Sequence, residues 1–166
     1  LSTVEISDKT LNNVSVVNLG AADITLSTVG VTTTGKTTIL DNSGATTINM
    51  TAKDAATAAK STTAGAETAL GSVTLSNSTS VTVNVDDYVT YDAAATLLAS
   101  KATEVTLNVD SAKNAASTPE EQTKFNASLN ASKATNLTIN SSGDTTLGNT
   151  SALGSVQTAT IVAGGV

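Results

Sequence analysis

Residues 101–108 read KATEVTLN, residues 133–140 read KATNLTIN, and the two copies begin 32 residues apart. A fixed offset of this size is typical of repeat architectures, in which one unit cannot bury its apolar face alone and stacks on the next. Looser versions of the same strand are ADITLS, GATTINM, GSVTLSN and STSVTVNVDD. The sequence therefore predicts a chain made of variations on one strand.

The residue types that are missing exclude several kinds of chemistry. Thr and Ala together make up about a third of the 166 residues, with 32 and 25 copies, whereas Cys, His and Trp are absent and all eight basic residues are Lys. Without Cys or His the chain has no thiolate nucleophile, no imidazole base and no soft zinc ligand. Without Arg it has no planar fork for gripping phosphate. We therefore expect no enzymatic activity.

Charge and hydropathy restrict the partners. A net charge of −6 and a pI near 4.3 disfavour nucleic acids and anionic membranes, which attract basic surfaces. No apolar run approaches the roughly 20 residues of a membrane span. The chain begins at Leu1 without signal-peptide features, so we expect residues 1–166 to be one repetitive β-rich domain from a larger protein.

Short β-branched segments with turn residues between them fill most of the chain, beginning with VEIS, VSVVNL, ITLS, TTIL and TTINM. Within 81–85, Val alternates with Thr and Asn, which predicts one apolar and one polar strand face. The apolar residues are small aliphatics. Such small side chains suit the narrow interior of a parallel β-solenoid. Packed sheets leave a gap of about 10 Å, where larger side chains usually help, so tandem β-sandwich domains are the alternative.

Three stretches predict helical insertions between the strands. Ala clusters at 52–60. Asp92 is a potential N-cap for a helix over 93–100. Pro119 follows a Thr and opens a helix over 119–131, in which Phe and Leu stand four residues apart.

One segment matches a nucleotide-binding pattern. Residues 30–37 read GVTTTGKT, which satisfies G-x-x-x-x-G-K-[ST]. A phosphate-binding loop needs a helix that opens at Lys36, because the helix N-terminus binds the phosphate. The residues after Lys36 predict a strand and a turn, so we discount nucleotide binding.

The densest acidic and aromatic cluster contains Asp86, Asp87 and Asp92, with Tyr88 and Tyr91 between them. Carboxylates are suitable ligands for Ca²⁺. The spacing and glycines of a Ca²⁺ loop are missing, and a solvated turn followed by a helix cap is the simpler interpretation. The three aspartates are the candidate Ca²⁺ ligands of this chain.

The repeated strand motifs KATEVTLN and KATNLTIN, together with acidity and the lack of Cys and His, resemble the repetitive bodies of Gram-negative S-layer proteins and related (RTX-linked) type I secreted surface proteins. The resemblance implies a β-solenoid, export without an N-terminal signal, and Ca²⁺-dependent assembly into a two-dimensional lattice. The glycine- and aspartate-rich Ca²⁺ repeats of that family are absent here.

The sequence and the resemblance together lead us to expect a structural segment of a secreted, self-assembling layer on the bacterial cell surface. Attachment to cell-surface polysaccharide is expected through regions outside these residues. The alternative is the stalk of a secreted adhesin. An adhesive tip needs exposed aromatic side chains, and the chain offers only Tyr88, Tyr91 and Phe125.

Overall fold

The computed structural model of the chain describes residues 3–8, 13–29, 37–51, 71–86, 90–91, 95–110, 124–142, 144–148 and 151–163. These residues form fifteen β-strands and no helix. The strands are β1 (Thr3–Asp8), β2 (Val14–Val16), β3 (Asp23–Val29), β4 (Thr37–Leu40), β5 (Ala45–Thr51), β6 (Ser72–Leu75), β7 (Ser80–Asp86), β8 (Thr90–Tyr91), β9 (Thr96–Leu98), β10 (Glu104–Asp110), β11 (Lys124–Phe125), β12 (Ser128–Asn130), β13 (Asn136–Ser141), β14 (Asp144–Thr145) and β15 (Thr158–Ala163).

The described strands form three sheets in which every pairing is parallel. The largest has seven strands in the order β1-β3-β5-β7-β10-β13-β15, the second has five in the order β12-β9-β6-β4-β2, and the smallest is β14-β11-β8. The chain passes repeatedly from a strand of the five-stranded sheet to a strand of the seven-stranded sheet. We call each such pair a level; in the last level an isolated bridge at Ala152 takes the place of the first strand.

Successive levels lie in register but differ in length. Equivalent residues are separated by 22, 35, 24 and 32 residues from β3 to β13. The 32-residue repeat is confirmed as two adjacent levels, because Leu97 pairs with Leu129 and Asn108 pairs with Asn140. The longer separations contain the extra residues between strands, which hide the other levels from a search for a fixed period.

The core is a stack of small aliphatic side chains, as the alternating sequence predicts. In β10, Val105, Leu107 and Val109 are buried, whereas Thr106 and Asn108 between them are half-buried on the outer face. Each buried side chain of a strand lies beside the equivalent side chain of the next strand because the register is in phase. A slip of one residue would expose the whole apolar set, so the pattern fixes the register.

The helix predicted over 93–100 is wrong within the described residues, where 96–98 form β9. Ala95, Leu97 and Ala99 are buried and alternate with half-buried neighbours, which is the period of a strand. Parallel pairing of β9 with both β6 and β12 supplies backbone hydrogen bonds and covers these side chains. Tertiary stacking therefore outweighs the helix propensity of the Ala-rich segment.

The helix predicted over 119–131 is also wrong where the structure describes it, since 124–125 and 128–130 form β11 and β12. Phe125 and Leu129, which we placed on one helical face, are both buried in strands that pair with the level before them. The proposed N-terminus of this helix and the helix predicted over 52–60 lie outside the described residues.

The turn that leads from the five-stranded sheet to the seven-stranded sheet is polar in the early levels. Asn42, Thr46 and Ser78, which we call the polar corner, are almost fully buried. Thr46 Oγ1 and Ser78 Oγ each donate to Asn42 Oδ1, at 3.1 and 2.7 Å. Asn42 Nδ2 donates to the carbonyls of Ala22 and Ala45, at 3.0 and 3.1 Å. The polar corner is thus closed on itself.

The same turn is apolar in the later levels. Ala99, Ala102, Ala131 and Ala134, which we call the alanine corner, have no exposed surface and belong to the core. Ala102 and Ala134 occupy the position of Ser78. The residues that follow them are equivalent, because the backbone N–H of Thr103 donates to the carbonyl of Thr79 and the N–H of Thr135 donates to the carbonyl of Thr103. Two chemistries therefore fill one position of the fold.

Candidate functional site

The outer face of the seven-stranded sheet carries a continuous column of threonines. In this sheet the parallel register places one Thr of each strand, from β3 through to β15, beside a Thr of the neighbouring strand. The strand alternation that buries Val, Leu and Ile on the inner face puts these threonines on the outer face. The threonine column consists of Thr25, Thr47, Thr82, Thr106, Thr138 and Thr160.

A second column on the same face consists of asparagine amides that bind one another. Asn84 Nδ2 donates to Asn49 Oδ1 at 2.7 Å, Asn108 Nδ2 to Asn84 Oδ1 at 2.7 Å, and Asn140 Nδ2 to Asn108 Oδ1 at 2.8 Å. Asn49 Nδ2 in turn lies 3.4 Å from Ser27 Oγ. Asparagine ladders of this kind stabilise stacked parallel strands. We call these four asparagines the asparagine column.

The asparagine column ends at β15, where Val162 is the register partner of Asn140. All six residues of β15 are exposed. Ile161 and Val162 are 68% and 56% exposed, and among the described residues only Val17 joins them as a large exposed apolar side chain. The last strand of the seven-stranded sheet therefore presents both an apolar surface and an unpaired backbone edge.

Two open grooves border these surfaces. One, of about 290 Å³, runs across the outer face beside Thr106, Thr138 and Thr160. The other, of about 540 Å³, lies along the turns, where Asp41 Oδ1 accepts from Asn77 Nδ2 at 2.7 Å and Lys101 is the second ionisable residue in the lining. Hydroxyl, amide and ionisable side chains line both grooves.

The candidate Ca²⁺ ligands are only partly placed. Asp86 is the last residue of β7, and its register partners are Thr51 on one side and Asp110 on the other. Asp87 and Asp92 lie outside the described residues. Within the part of the chain that the structure describes, no three Asp, Glu, His or Cys residues come together as a potential metal site. Ca²⁺ binding by the three aspartates stays a prediction.

The strand predicted after Lys36 is confirmed. Thr37 opens β4, and its backbone N–H donates to Asn13 Oδ1 at 3.0 Å. The helix that a phosphate-binding loop requires at this point is replaced by a strand of the five-stranded sheet. Residues 30–36 themselves lie outside the described part.

The two outer columns were the feature that sequence reasoning missed. Their signal is the recurrence of Thr-x-Asn, seen at Thr47 and Asn49 and again at Thr82 and Asn84. Unequal spacing between the levels hides this recurrence until the register is known.

Searches for a matching family model, a matching curated protein and a matching solved structure each found none. Among the described residues there is no helix of the length and apolarity needed to cross a membrane.

Proposed function

We propose that this chain is a segment of a parallel β-solenoid that serves as a structural component of a self-assembling layer on the bacterial cell surface. The observation that carries the proposal is the in-register stacking of seven parallel strands that ends in an exposed edge strand. A stack of this kind can be continued by any further strand of the same pattern.

Several observations support the solenoid over tandem β-sandwiches. Sandwiches are typically made of antiparallel strands, whereas every described pairing here is parallel. The chain also returns to the next position of each sheet in sequence order. In a solenoid each level contacts only its neighbours, so a whole level can be removed without disturbing the rest.

Deletion of one level tests the solenoid. Removing residues 107–138 deletes one 32-residue repeat and joins Thr106 to Ile139 with the inward and outward alternation preserved. We expect this variant to keep its strand circular dichroism and a cooperative urea transition. Removing residues 107–137, one residue fewer, reverses the alternation beyond the junction and should abolish the transition. Loss of folding in both variants would contradict the solenoid.

A structural role fits the outer face. The threonine and asparagine columns repeat at the spacing of neighbouring strands, about 4.8 Å, and give a regular polar surface. The whole chain has a net charge of −6, which opposes close contact between copies wherever charged side chains are dense. The central columns are uncharged, which supports their use as contact surfaces.

Electron microscopy of the purified protein, with and without Ca²⁺, tests the layer. Ordered two-dimensional sheets that dissolve on addition of chelator would support both the layer and its dependence on Ca²⁺. Sheets that survive the chelator would support the layer alone. Dispersed molecules in both conditions, with size-exclusion elution as a monomer at high concentration, would overturn it.

Dispersed rods that bind a surface ligand would instead indicate the adhesin stalk. Of the three aromatic residues that could serve a binding tip, Phe125 is fully buried. Tyr91 lies in β8 and Tyr88 lies outside the described residues. The burial of Phe125 reduces the material for an adhesive surface and favours the layer.

A further inference from the structure

The seven-stranded sheet has two edges, β1 and β15, and β15 is exposed along its whole length. Ile161 occupies a core position in this strand. Its register partner Ile139 is 7% exposed and the next residue of the same column, Leu107, is 1% exposed, whereas Ile161 is 68% exposed. The difference arises because no further strand lies beyond β15 in the described sheet.

A strand that covers β15 must meet three requirements. It must run parallel, it must place apolar residues beside Ala159 and Ile161, and it must place polar residues beside Thr158 and Thr160 on the outer face. These requirements follow from the six pairings already present in the sheet, all of which are parallel and in phase.

The first strand of the same chain meets these requirements. Val4 and Ile6 of β1 occupy the register positions of Ile24 and Leu26, which are buried, and Glu5 is exposed beside Thr25 at the head of the threonine column. The free edge of β1 also faces the opposite way from the free edge of β15. In a parallel sheet such edges fit each other by simple translation.

We propose that β15 of one molecule pairs in parallel with β1 of a second copy, with Thr160 opposite Glu5 and Ile161 opposite Ile6. The proposal rests on the self-assembly proposed above and names its contact. Charge favours this pairing over a contact between two β1 strands, because β15 has no charged residue whereas β1 contains Glu5 and Asp8. The contact is head to tail, so it generates rows rather than closed dimers.

Cysteine cross-linking tests the register. Because the sequence has no native Cys, each introduced thiol can react only with another introduced thiol. Adjacent strands lie about 4.8 Å apart, within the range of about 4.4 to 6.8 Å between Cα atoms that a disulfide spans. An equal mixture of Glu5→Cys and Thr160→Cys molecules should form a heterodimer on mild oxidation at least tenfold faster than either variant forms a homodimer. The control mixture of Glu5→Cys with Val162→Cys displaces the thiols by two residues on the same face and should react as slowly as the homodimers.

Substitution of the two exposed apolar residues of β15 provides a second measurement. Ile161→Lys places a charge at the inner position and should weaken self-association at least tenfold in sedimentation experiments. Val162→Lys, on the outer face of the same strand, should weaken it less than threefold. Both side chains are exposed in the single molecule, so we expect neither variant to lose its fold.

The outcomes separate this contact from the layer itself. Sheets in electron micrographs that persist with Ile161→Lys, together with equal cross-linking in the matched and displaced mixtures, would overturn the β15–β1 contact and leave the layer standing. Equal cross-linking is also the result expected if β15 is covered by another segment of the same molecule or by a different protein. A wild-type chain that never self-associates would overturn both proposals.

Discussion

The polar corner and the alanine corner fill the same turn of the fold with opposite chemistry. In the polar corner, Asn42 holds two hydroxyls and two carbonyls in a buried network. In the alanine corner, Ala102 and Ala134 fill the equivalent space with methyl groups. Either solution works because each is complete: every buried polar atom has a partner, or no polar side chain is present. The free energy that a substitution costs therefore depends on whether it leaves a buried polar group without a partner in the corner.

The largest effect is expected from a polar group placed in the alanine corner. Ala134→Asn adds an amide where Ala102 and Ala131 offer only methyl groups and no space. An unpaired buried amide and overpacking together should lower the free energy of unfolding by about 4 kcal/mol. Urea unfolding followed by circular dichroism measures it. Ser132→Asn, exposed in the same turn, is the control and should change stability by less than about 0.5 kcal/mol. Equal effects would mean that the alanine corner is not tightly packed.

Removal of the central amide of the polar corner should cost somewhat less. Asn42→Ala leaves the carbonyls of Ala22 and Ala45 without the donor they share, and it removes the acceptor of two hydroxyls. We expect a loss of about 3 kcal/mol, since each buried group left unsatisfied costs about 1 to 3 kcal/mol. Asn77→Ala is the matched control, because Asn77 is exposed and donates one bond to Asp41. A loss for Asn77 as large as that for Asn42 would contradict the role of burial.

The residue at the C-terminal end of the turn, just before the strand of the seven-stranded sheet begins, also differs between the two corners. Gly44 stands where Thr79, Thr103 and Thr135 stand in later levels. A Cβ at Gly44 would lie 2.6 Å from the Ala22 carbonyl oxygen and 2.7 Å from that of Ala21, closer than atoms can pack.

Gly44→Ala should therefore lower the free energy of unfolding by about 2 kcal/mol, the usual cost of overpacking. Gly154 lies in the turn of the last level, and a Cβ there would meet no atom within 4 Å. Gly154→Ala should be close to neutral in the same urea measurement. A neutral Gly44→Ala would show that the turn from β4 to β5 moves freely to admit a side chain.

Most of the longer strands were predictable from sequence because apolar and polar residues alternate along them. The segments predicted at 24–27, 37–40 and 46–50 lie within β3, β4 and β5. The helices at 93–100 and 119–131 were wrong because short strands rich in Ala and Leu satisfy helix propensity as well as strand alternation. Only the neighbouring level decides between them, and that information is not local.

The candidate surfaces were less predictable than the strands. The Thr-x-Asn pattern is visible in Thr106 and Asn108, but a column exists only if consecutive strands are in phase. The separations of 35 and 24 residues on either side of Asn84 give no sign of this. The exposure of Ile161 was equally hidden, since its sequence pattern is that of a core residue and only its position at the sheet edge exposes it.

The smallest effect, and the most specific, is the coupling between the two hydroxyls of the polar corner. Thr46 has Val81 as its register partner and Ser78 is replaced by Ala102 one level later, so Thr46→Val and Ser78→Ala each adopt a residue that the fold already accepts. Either change alone leaves Asn42 Oδ1 one donor and should cost about 1 kcal/mol.

Thr46 Oγ1 and Ser78 Oγ also lie 2.6 Å from each other, so either single change removes the bond between them as well as one bond to Asn42 Oδ1. The sum of the two single changes therefore counts the Thr46–Ser78 bond twice, and the double variant should lose about 1 kcal/mol less than that sum in a double-mutant cycle. Strict additivity would mean that the two hydroxyls do not bind each other and that the network is not closed. A double variant as stable as the wild type would mean that the polar corner converts to the apolar form without the need to replace Asn42, and the two corners would then be interchangeable residue by residue.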